Sequence, residues 1–126
     1  MPTTPWTVIR QPEPGREYLA LLSYLPLLHY RHIPKFVHFT LETQRQLGTA
    51  AGLIGYSLDA QLFRKRFWTL SVWDDRDRLM NFVRAAPHSR IMRDLAPHMD
   101  KTRFAQWKVA ASELPLSWPD AKARLA

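Results

Sequence analysis

The sequence predicts a single α+β domain in which helices cover one face of an antiparallel sheet. The chain has 126 residues, which suits one domain. Hydrophobic residues make up 46% and charged residues 23%, so a chain without cysteine can still bury a core of its own. Apolar runs of strand length and apolar stripes of helical spacing alternate in the order strand, helix, strand, strand, helix, strand.

The N-terminal part predicts an extended arm followed by the first strand. Residues 1–16 hold four of the ten prolines, and only residues 6–9 within them are expected to dock. The domain is therefore expected to span residues 17–126. Its first strand is the short apolar run 17–25, which Pro26 closes.

The middle of the chain predicts a helix and two strands. The helix begins near Pro34, because proline suits a first helical turn, and Gly48 ends it. The second strand is 52–58, where Gly55 indicates a bulge or a close approach by another group. The third strand is 64–73. Its side chains alternate between one face with Trp68, Leu70 and Val72 and another with Phe67, Thr69, Ser71 and Trp73.

The C-terminal part predicts two helical segments, a strand and a short terminal helix. Asp74 is the expected N-cap of a helix that runs to about residue 86, and Pro87 restarts a helix that Pro97 ends. The fourth strand is 101–109. After Pro115 a short C-terminal helix is expected, with Ser117 as its N-cap. On the fourth strand, the alternation places Ala105, Trp107 and Val109 on one face.

This element order is the ferredoxin-like βαββαβ arrangement, with helices on one face of an antiparallel sheet. The other face carries large side chains, which would form an apolar patch on a monomer. A second copy of the chain is the simplest cover for that face, so the sequence predicts a homodimer.

Net charge and hydropathy indicate whether the protein is expected to bind nucleic acid or to span a membrane. The net charge is +7, but the basic residues are scattered, and the densest cluster is Arg64, Lys65 and Arg66. A solvated basic surface is favoured over a nucleic-acid face, since no nucleic-acid-binding motif accompanies the charge. No apolar run reaches the roughly 18 residues that span a bilayer, and the start does not have the pattern of a signal peptide. We therefore expect no membrane span and a cytoplasmic location.

The sequence contains no phosphate-binding glycine loop, zinc-protease motif or nucleophile elbow. His88 is the best candidate for a reactive residue, because it follows Pro87 at a helix start, where N–H groups are unpaired. The positive end of the helix dipole disfavours a second positive charge, so we expect the imidazole to be neutral near pH 7. A neutral imidazole there can act as a base, a donor or an iron ligand, and the alternative is a capping or surface histidine. His29 and His32 have no nearby carboxylate, so no metal site is predicted.

Trp73 ends a strand on the face that carries Thr69 and Ser71, a mixture that suits a pocket wall, although core packing remains the alternative. We expect Trp73, His88, Tyr56 and Trp107 to border one cavity. Asn81 lies on the polar side of the following helix, where solvation is the alternative to a catalytic role. The predicted substrate-binding residues are Tyr56, Thr69, Ser71, Trp107 and Phe82.

The stretch 67–75, with Leu79, residues 82–84 and the Pro87-His88 step, resembles the antibiotic-biosynthesis-monooxygenase superfamily of dimeric α+β barrels. It is similar in particular to a bacterial branch with spheroidene-monooxygenase-like proteins, and the strand 52–58 shares that likeness. The resemblance covers roughly residues 17–110. It implies a homodimer whose two sheets close a barrel, with a pocket in each subunit between the sheet and the helices.

The resemblance implies several chemistries. Some members oxidise polycyclic phenols without metal or flavin, whereas others bind haem through a histidine on the second helix. Here that ligand position falls near Met92, and His88 lies about one turn earlier, which departs from the haem-degrading pattern. His88 would then be a base or an iron ligand, Trp73 a pocket wall or electron-rich partner, and Asn81 a donor to an oxyanion.

Two functions follow from these residues. The first is a monooxygenase-like protein, cofactor-free or haem-dependent, that binds and oxidises a hydrophobic aromatic or polyene small molecule. The second is a non-catalytic dimeric barrel that binds a small molecule or a partner. The cofactor stays open at this point, with haem as a candidate.

Overall fold

The computed structural model describes residues 5–86 and 88–125, so the predicted helix start at Pro87 lies outside the described residues. The five strands of the described chain are β1 (Thr7–Val8), β2 (Glu17–Pro26), β3 (Leu53–Gln61), β4 (Arg66–Trp73) and β5 (Arg103–Ala110). Its four α-helices are α1 (Ile33–Leu47), α2 (Arg76–Arg84), α3 (His88–Leu95) and α4 (Trp118–Ala123).

The strands form one antiparallel sheet in the order β1-β3-β4-β2-β5. Without β1, this is the strand order of the ferredoxin-like fold, and the predicted fold is confirmed. Strand β2 is an internal strand, between β4 and β5, so its side chains lie away from the edge of the sheet on both faces.

Helices α1, α2 and α3 cover one face of the sheet. Near one end of the sheet, Phe36 and Phe39 of α1 pack with Phe67 of β4 and with Ile91 and Leu95 of α3. At the other end, Trp73 of β4 packs with residues of α1, α2 and β3: Leu47, Leu53, Leu79 and Phe82. Between these two clusters the sheet and the helices separate enough to leave a cavity.

The N-terminal arm adds a strand that the sequence did not predict. Thr7 and Val8 pair with Tyr56 and Gly55 at the edge of β3, next to a register shift between Leu53 and Gly55. A side chain at residue 55 would come within 2.7 Å of the indole ring of Trp6. The predicted close approach at Gly55 is therefore confirmed, and the approaching group is Trp6.

We expect Gly55→Ala to destabilise the fold by about 1–3 kcal/mol, the usual cost of forcing an extra carbon into a packed site. The added methyl must displace the Trp6 ring and with it the short strand β1. Urea unfolding followed by tryptophan fluorescence measures this change. Gly48→Ala is the matched control: its Cβ would have only ordinary contacts of 3.5 and 3.7 Å, so an unchanged or slightly higher stability is expected.

The face of the sheet opposite α1 is covered by the chain itself. Leu116, Trp118, Ala121 and Leu125 from the C-terminal segment pack against side chains of that face: Leu22, Tyr24, Trp68, Leu70, Ala105 and Trp107. The predicted uncovered apolar patch, for which a second copy was the simplest cover, is therefore wrong, because residues 111–125 lie where it was expected. The C-terminal helix itself begins as predicted, with Ser117 Oγ accepting a hydrogen bond from the Asp120 N–H.

Asp74 and Asp75 connect β4 to α2, and each has its own structural role. The N-cap of α2 is Asp75, not the predicted Asp74, since Asp75 accepts from the Arg78 N–H at 2.9 Å. Asp74 instead forms ion pairs with Arg10 and Arg16, which bring the arm against the end of β4. No helix in the described part of the chain is long and apolar enough to cross a membrane.

Candidate functional site

A cavity of about 670 Å³ lies between the sheet and helices α1, α2 and α3. This volume falls within the range of roughly 300–1,000 Å³ that is typical of pockets for small organic ligands. Most of its wall is aliphatic or aromatic, and no lysine or arginine lines it among the described residues. The cavity therefore suits a neutral apolar ligand better than an anion.

Hydroxyl groups lie on the sheet side of this cavity. Ser71 is directly opposite Tyr56 on β3, and Thr69 is directly opposite Ser23 on β2. All four side chains line the cavity, and Ser71 and Ser23 are buried. They form a narrow polar stripe across an otherwise apolar floor, which can orient a ligand that carries a hydroxyl or carbonyl group.

Trp73 is a fully buried wall of the cavity, with 1% of its surface exposed. Its indole Nε1–H donates to Ser71 Oγ at 2.9 Å, so that N–H is already used within the protein. The ring of Phe82 lies 5.2 Å from the ring of Trp73 and 5.0 Å from the ring of His88. The three rings therefore form one continuous aromatic wall at this end of the cavity.

His88 is the first residue of α3, and two hydrogen bonds fix it at the cavity wall. Its backbone N–H donates to Gln46 Oε1 on α1 at 3.0 Å. Its ring Nδ1 lies 3.2 Å from the Val83 carbonyl oxygen, which can only accept, so Nδ1 carries the proton. This bond leaves Nε2 as the unprotonated nitrogen of a residue that lines the cavity.

Burial lowers the pKa of His88 from its ordinary value of 6.5, and the hydrogen bond to the Val83 carbonyl opposes this only in part. The imidazole is therefore neutral at pH 7, as a base or an acceptor must be. The sequence argument expected the helix N-terminus to keep this histidine neutral. In the structure the main cause is burial, and the backbone N–H is paired with Gln46.

We expect the stability of the protein to fall as the pH drops below about 6.5, because unfolded His88 takes up a proton that the folded state resists. The contribution is complete above the unfolded pKa and is lost as the pH falls towards the lower folded pKa. Urea unfolding at pH 7.5, 6.5 and 5.5 measures it. His88→Gln should flatten this dependence, whereas His29→Gln, at an exposed position before α1, should leave it unchanged. An identical slope in both variants would contradict this assignment.

Six of the eight predicted site residues line the cavity: Tyr56, Thr69, Ser71, Trp73, Phe82 and His88. Trp107 does not, because its partner in the register of β2 is Ala20, which lies on the opposite face. There Trp107 packs under the C-terminal segment, with the Arg124 guanidinium 5.1 Å from its ring. Asn81 also lies outside the cavity, on the exposed side of α2, so it is not placed to donate to a bound oxyanion.

Gln46 is the residue that the sequence argument missed. Its side chain accepts from the His88 N–H and donates Nε2–H to the Phe82 carbonyl oxygen at 3.3 Å. It therefore joins α1 to the ends of α2 and α3 that carry two wall residues. Nothing in the local sequence marks Gln46, because its partners lie about forty residues further along the chain.

The cavity lining offers only part of what haem needs. His88 Nε2 has the right chemistry for an iron ligand, but the described lining contains no lysine or arginine to pair with a haem carboxylate held inside the cavity. Elsewhere, His29, His32 and His98 lie near one another, with the rings of His32 and His98 stacked at 3.9 Å. No group of three or more His, Cys, Asp or Glu in residues 5–86 and 88–125 is arranged to hold a metal ion.

The fold is that of antibiotic-biosynthesis-monooxygenase-like proteins. The "Putative monooxygenase" of Fusobacterium nucleatum is similar, with a TM-score of 0.71 at 10% identity. The match covers 82% of this chain and 48% of that one, so the chain spans about half the length of that protein. SnoaB of Streptomyces nogalater, described as a cofactor-independent oxygenase, has a TM-score of 0.61 at 13% identity, with 80% and 99% covered.

A conserved protein of Methanosarcina mazei has a TM-score of 0.64 at 16% identity, over 71% of this chain and 90% of that one. At such identities the likeness establishes the fold alone. No curated protein matches the sequence. The chain belongs to the family described as "Domain of unknown function (DUF3291)", which matches residues 33–126.

Proposed function

We propose that the cavity binds a neutral hydrophobic aromatic or polyene molecule and that the protein oxidises it with dioxygen, without haem. The observation that carries the proposal is the neutral imidazole of His88, held with Nε2 available in an apolar cavity of about 670 Å³. The fold shared with SnoaB, which is described as a cofactor-independent oxygenase, supports the same reaction class.

For a phenol, the proposed reaction consumes one dioxygen and releases one water. His88 Nε2 removes the phenolic proton, and the electron-rich phenolate reacts with dioxygen at ring carbon. Loss of water from the resulting peroxide leaves a quinone, so the substrate loses two hydrogen atoms and gains one oxygen atom. The hydroxyls of Tyr56, Ser71 and Thr69 would orient the oxygen of the substrate.

Ligand binding is the first test, with retinol as the polyene probe and anthrone as the aromatic probe. We expect retinol fluorescence to rise on addition of the protein, with energy transfer from Trp73 in the cavity wall. Leu41→Trp, at a half-exposed position where the cavity opens, should weaken binding about tenfold or more by narrowing the mouth. Ser112→Trp, on an exposed turn outside the cavity, is the matched control.

Oxidation is the second test, since anthrone plus dioxygen gives anthraquinone and water. Formation of anthraquinone above the uncatalysed rate, by a protein without a Soret band, supports the proposal. Tight binding of both probes without oxidation favours the second candidate, a non-catalytic binding barrel. That candidate is favoured by one observation: the carboxylate of Asp59, beside the cavity, is paired with Lys122 and so is not available as a second catalytic group.

The predicted homodimer and cytoplasmic location belong to this proposal as well. We infer that two copies would have to pair through a surface other than the face covered by residues 111–125, or displace those residues. Sedimentation equilibrium at micromolar concentration tests the assembly. A charge placed on the covered face, as in Ala121→Glu, should then change folding rather than association.

A further inference from the structure

The connection between β3 and β4 exposes a large apolar side chain at its tip. Phe63 is 92% exposed, and its neighbour Leu62 is 42% exposed. Lys65, with a φ of 57°, turns the chain back into β4 just after them. A phenylalanine that protrudes almost entirely into water forms no packing contact that stabilises the fold, so its position suggests a contact outside the chain.

A second loop contributes to the same surface. The Tyr30 hydroxyl donates to the Phe63 carbonyl oxygen, and Lys65 Nζ donates to the Leu28 carbonyl oxygen at 3.2 Å. The same ammonium lies 4.9 Å from the centre of the Tyr30 ring. These contacts hold Leu28, Tyr30, Leu62 and Phe63 together as one exposed apolar group, which we call the tip surface; all four are at least 40% exposed.

Basic residues predominate in the two segments that form the tip surface. The two segments that form it, residues 27–41 and 60–73, contain no aspartate or glutamate. They contain five lysines and arginines: Arg31, Lys35, Arg64, Lys65 and Arg66. Apolar side chains inside a set of cations match the boundary of an anionic bilayer, where acyl chains lie just below phosphate groups.

The tip surface also adjoins the mouth of the cavity. Leu62 belongs to both, and it lines the cavity together with Val37 and Leu41, two exposed residues of α1. An apolar ligand that leaves a bilayer at the tip surface would therefore enter the cavity along an apolar path. The docking itself does not depend on the proposed function, whereas this delivery of a ligand rests on it.

We propose that the tip surface docks the protein peripherally on anionic lipid bilayers. Phe63 and Leu62 enter the acyl region, Tyr30 lies at the interface, and the five cations contact lipid phosphates. Nucleic acid is the competing polyanion, and the rings of Tyr30 and Phe63 offer faces on which a base can stack. Lipid is favoured because aliphatic Leu28 and Leu62 form the other half of the tip surface, and they gain only from burial in an apolar phase.

Co-sedimentation of the full-length chain with lipid vesicles tests the proposal. Vesicles of phosphatidylcholine with one quarter phosphatidylglycerol should bind at least tenfold more protein than phosphatidylcholine alone, and 0.5 M NaCl should remove most of that difference. Phe63→Ser and Arg64→Glu should each lower binding about tenfold. Val8→Ser and Arg84→Glu are matched controls at exposed positions outside the tip surface, and they should bind normally.

Equal binding to neutral and anionic vesicles, or equal losses in the controls, would overturn the proposal. So would binding to polyuridylic acid with none to vesicles. Retinol binding without vesicles separates this proposal from the proposed function, because Phe63→Ser should leave it unchanged. Arg64→Glu changes the charge of an exposed side chain, so its effect on vesicle binding can be measured even if Phe63→Ser unfolds.

Discussion

The variant Lys122→Ala will unfold at a markedly lower temperature than the unaltered chain. Lys122 Nζ on α4 lies 2.6 Å from Asp59 Oδ2 on β3, and the Asp59 side chain is only 7% exposed. The same ammonium lies 4.0 Å from the ring centre of Trp68 and 5.6 Å from that of Trp118. Removing it leaves a buried carboxylate without its cation and also removes the contacts with both rings.

Breaking a buried ion pair usually costs about 3–5 kcal/mol, but Lys122 is about one third exposed, so we expect roughly 2–3 kcal/mol. For a domain of this size, that corresponds to a fall in Tm of about 8–15 °C. Differential scanning calorimetry measures it. Lys108→Ala, at an exposed position on β5, is the control and should change Tm by less than about 2 °C.

The double variant Asp59→Leu, Lys122→Met separates the ion pair from simple loss of packing. Two apolar side chains of similar volume can replace a buried pair at little cost, so the double variant should be more stable than Lys122→Ala alone. Equal stability of the two variants would show that packing on Trp68, and not the charge of Asp59, carries the effect.

The sequence predicted the sheet well because each long strand has its own local signal. The strands predicted at 17–25 and 64–73 correspond closely to β2 and β4. The apolar run of β2 and the alternation of β4 can each be recognised within the strand itself. Strand β1 escaped prediction, because two residues have no periodicity, and they are held by contacts with distant parts of the chain: the pairing with β3, the packing of Trp6 and the ion pairs of the arm with Asp74.

Which face a side chain occupies was harder to predict. Alternation on β5 separates Trp107 from Gln106 but does not say which of them faces the helices. That depends on the register, which pairs Trp107 with Ala20 and Gln106 with Leu21. Because the C-terminal segment covers the second face, both faces of this sheet carry apolar side chains, and hydropathy could not distinguish them.

The candidate site was predictable where its residues lie on one strand or one helix start. Thr69, Ser71 and Trp73 share a face of β4 because alternate residues of a strand point to the same side of the sheet. His88 begins α3 as expected. The role of Gln46 depends on a contact between distant segments, and the burial that lowers the pKa of His88 depends on the packing of the helices. Neither the role of Gln46 nor the lowered pKa of His88 can be predicted from the local sequence.

His88→Ala should lower the rate of anthrone oxidation by about 10²–10⁴-fold, the usual effect of losing a general base. The reason is geometric as well as chemical: Nδ1–H is fixed on the Val83 carbonyl, so Nε2 is the one ring nitrogen that can accept the proton of the substrate. The fall should appear in kcat with little change in KM, because the apolar wall formed by Trp73 and Phe82 remains.

Two controls define what the His88→Ala result means. His38→Gln, at an exposed position on α1, should leave the rate unchanged. Raising the pH should restore part of the rate of His88→Ala, because a phenolate that forms in solution no longer needs the base. If His88→Ala oxidises anthrone as fast as the unaltered chain while retinol still binds, the imidazole has only a structural role as a partner of Val83 and Gln46. The non-catalytic binding barrel would then be the better account of this cavity.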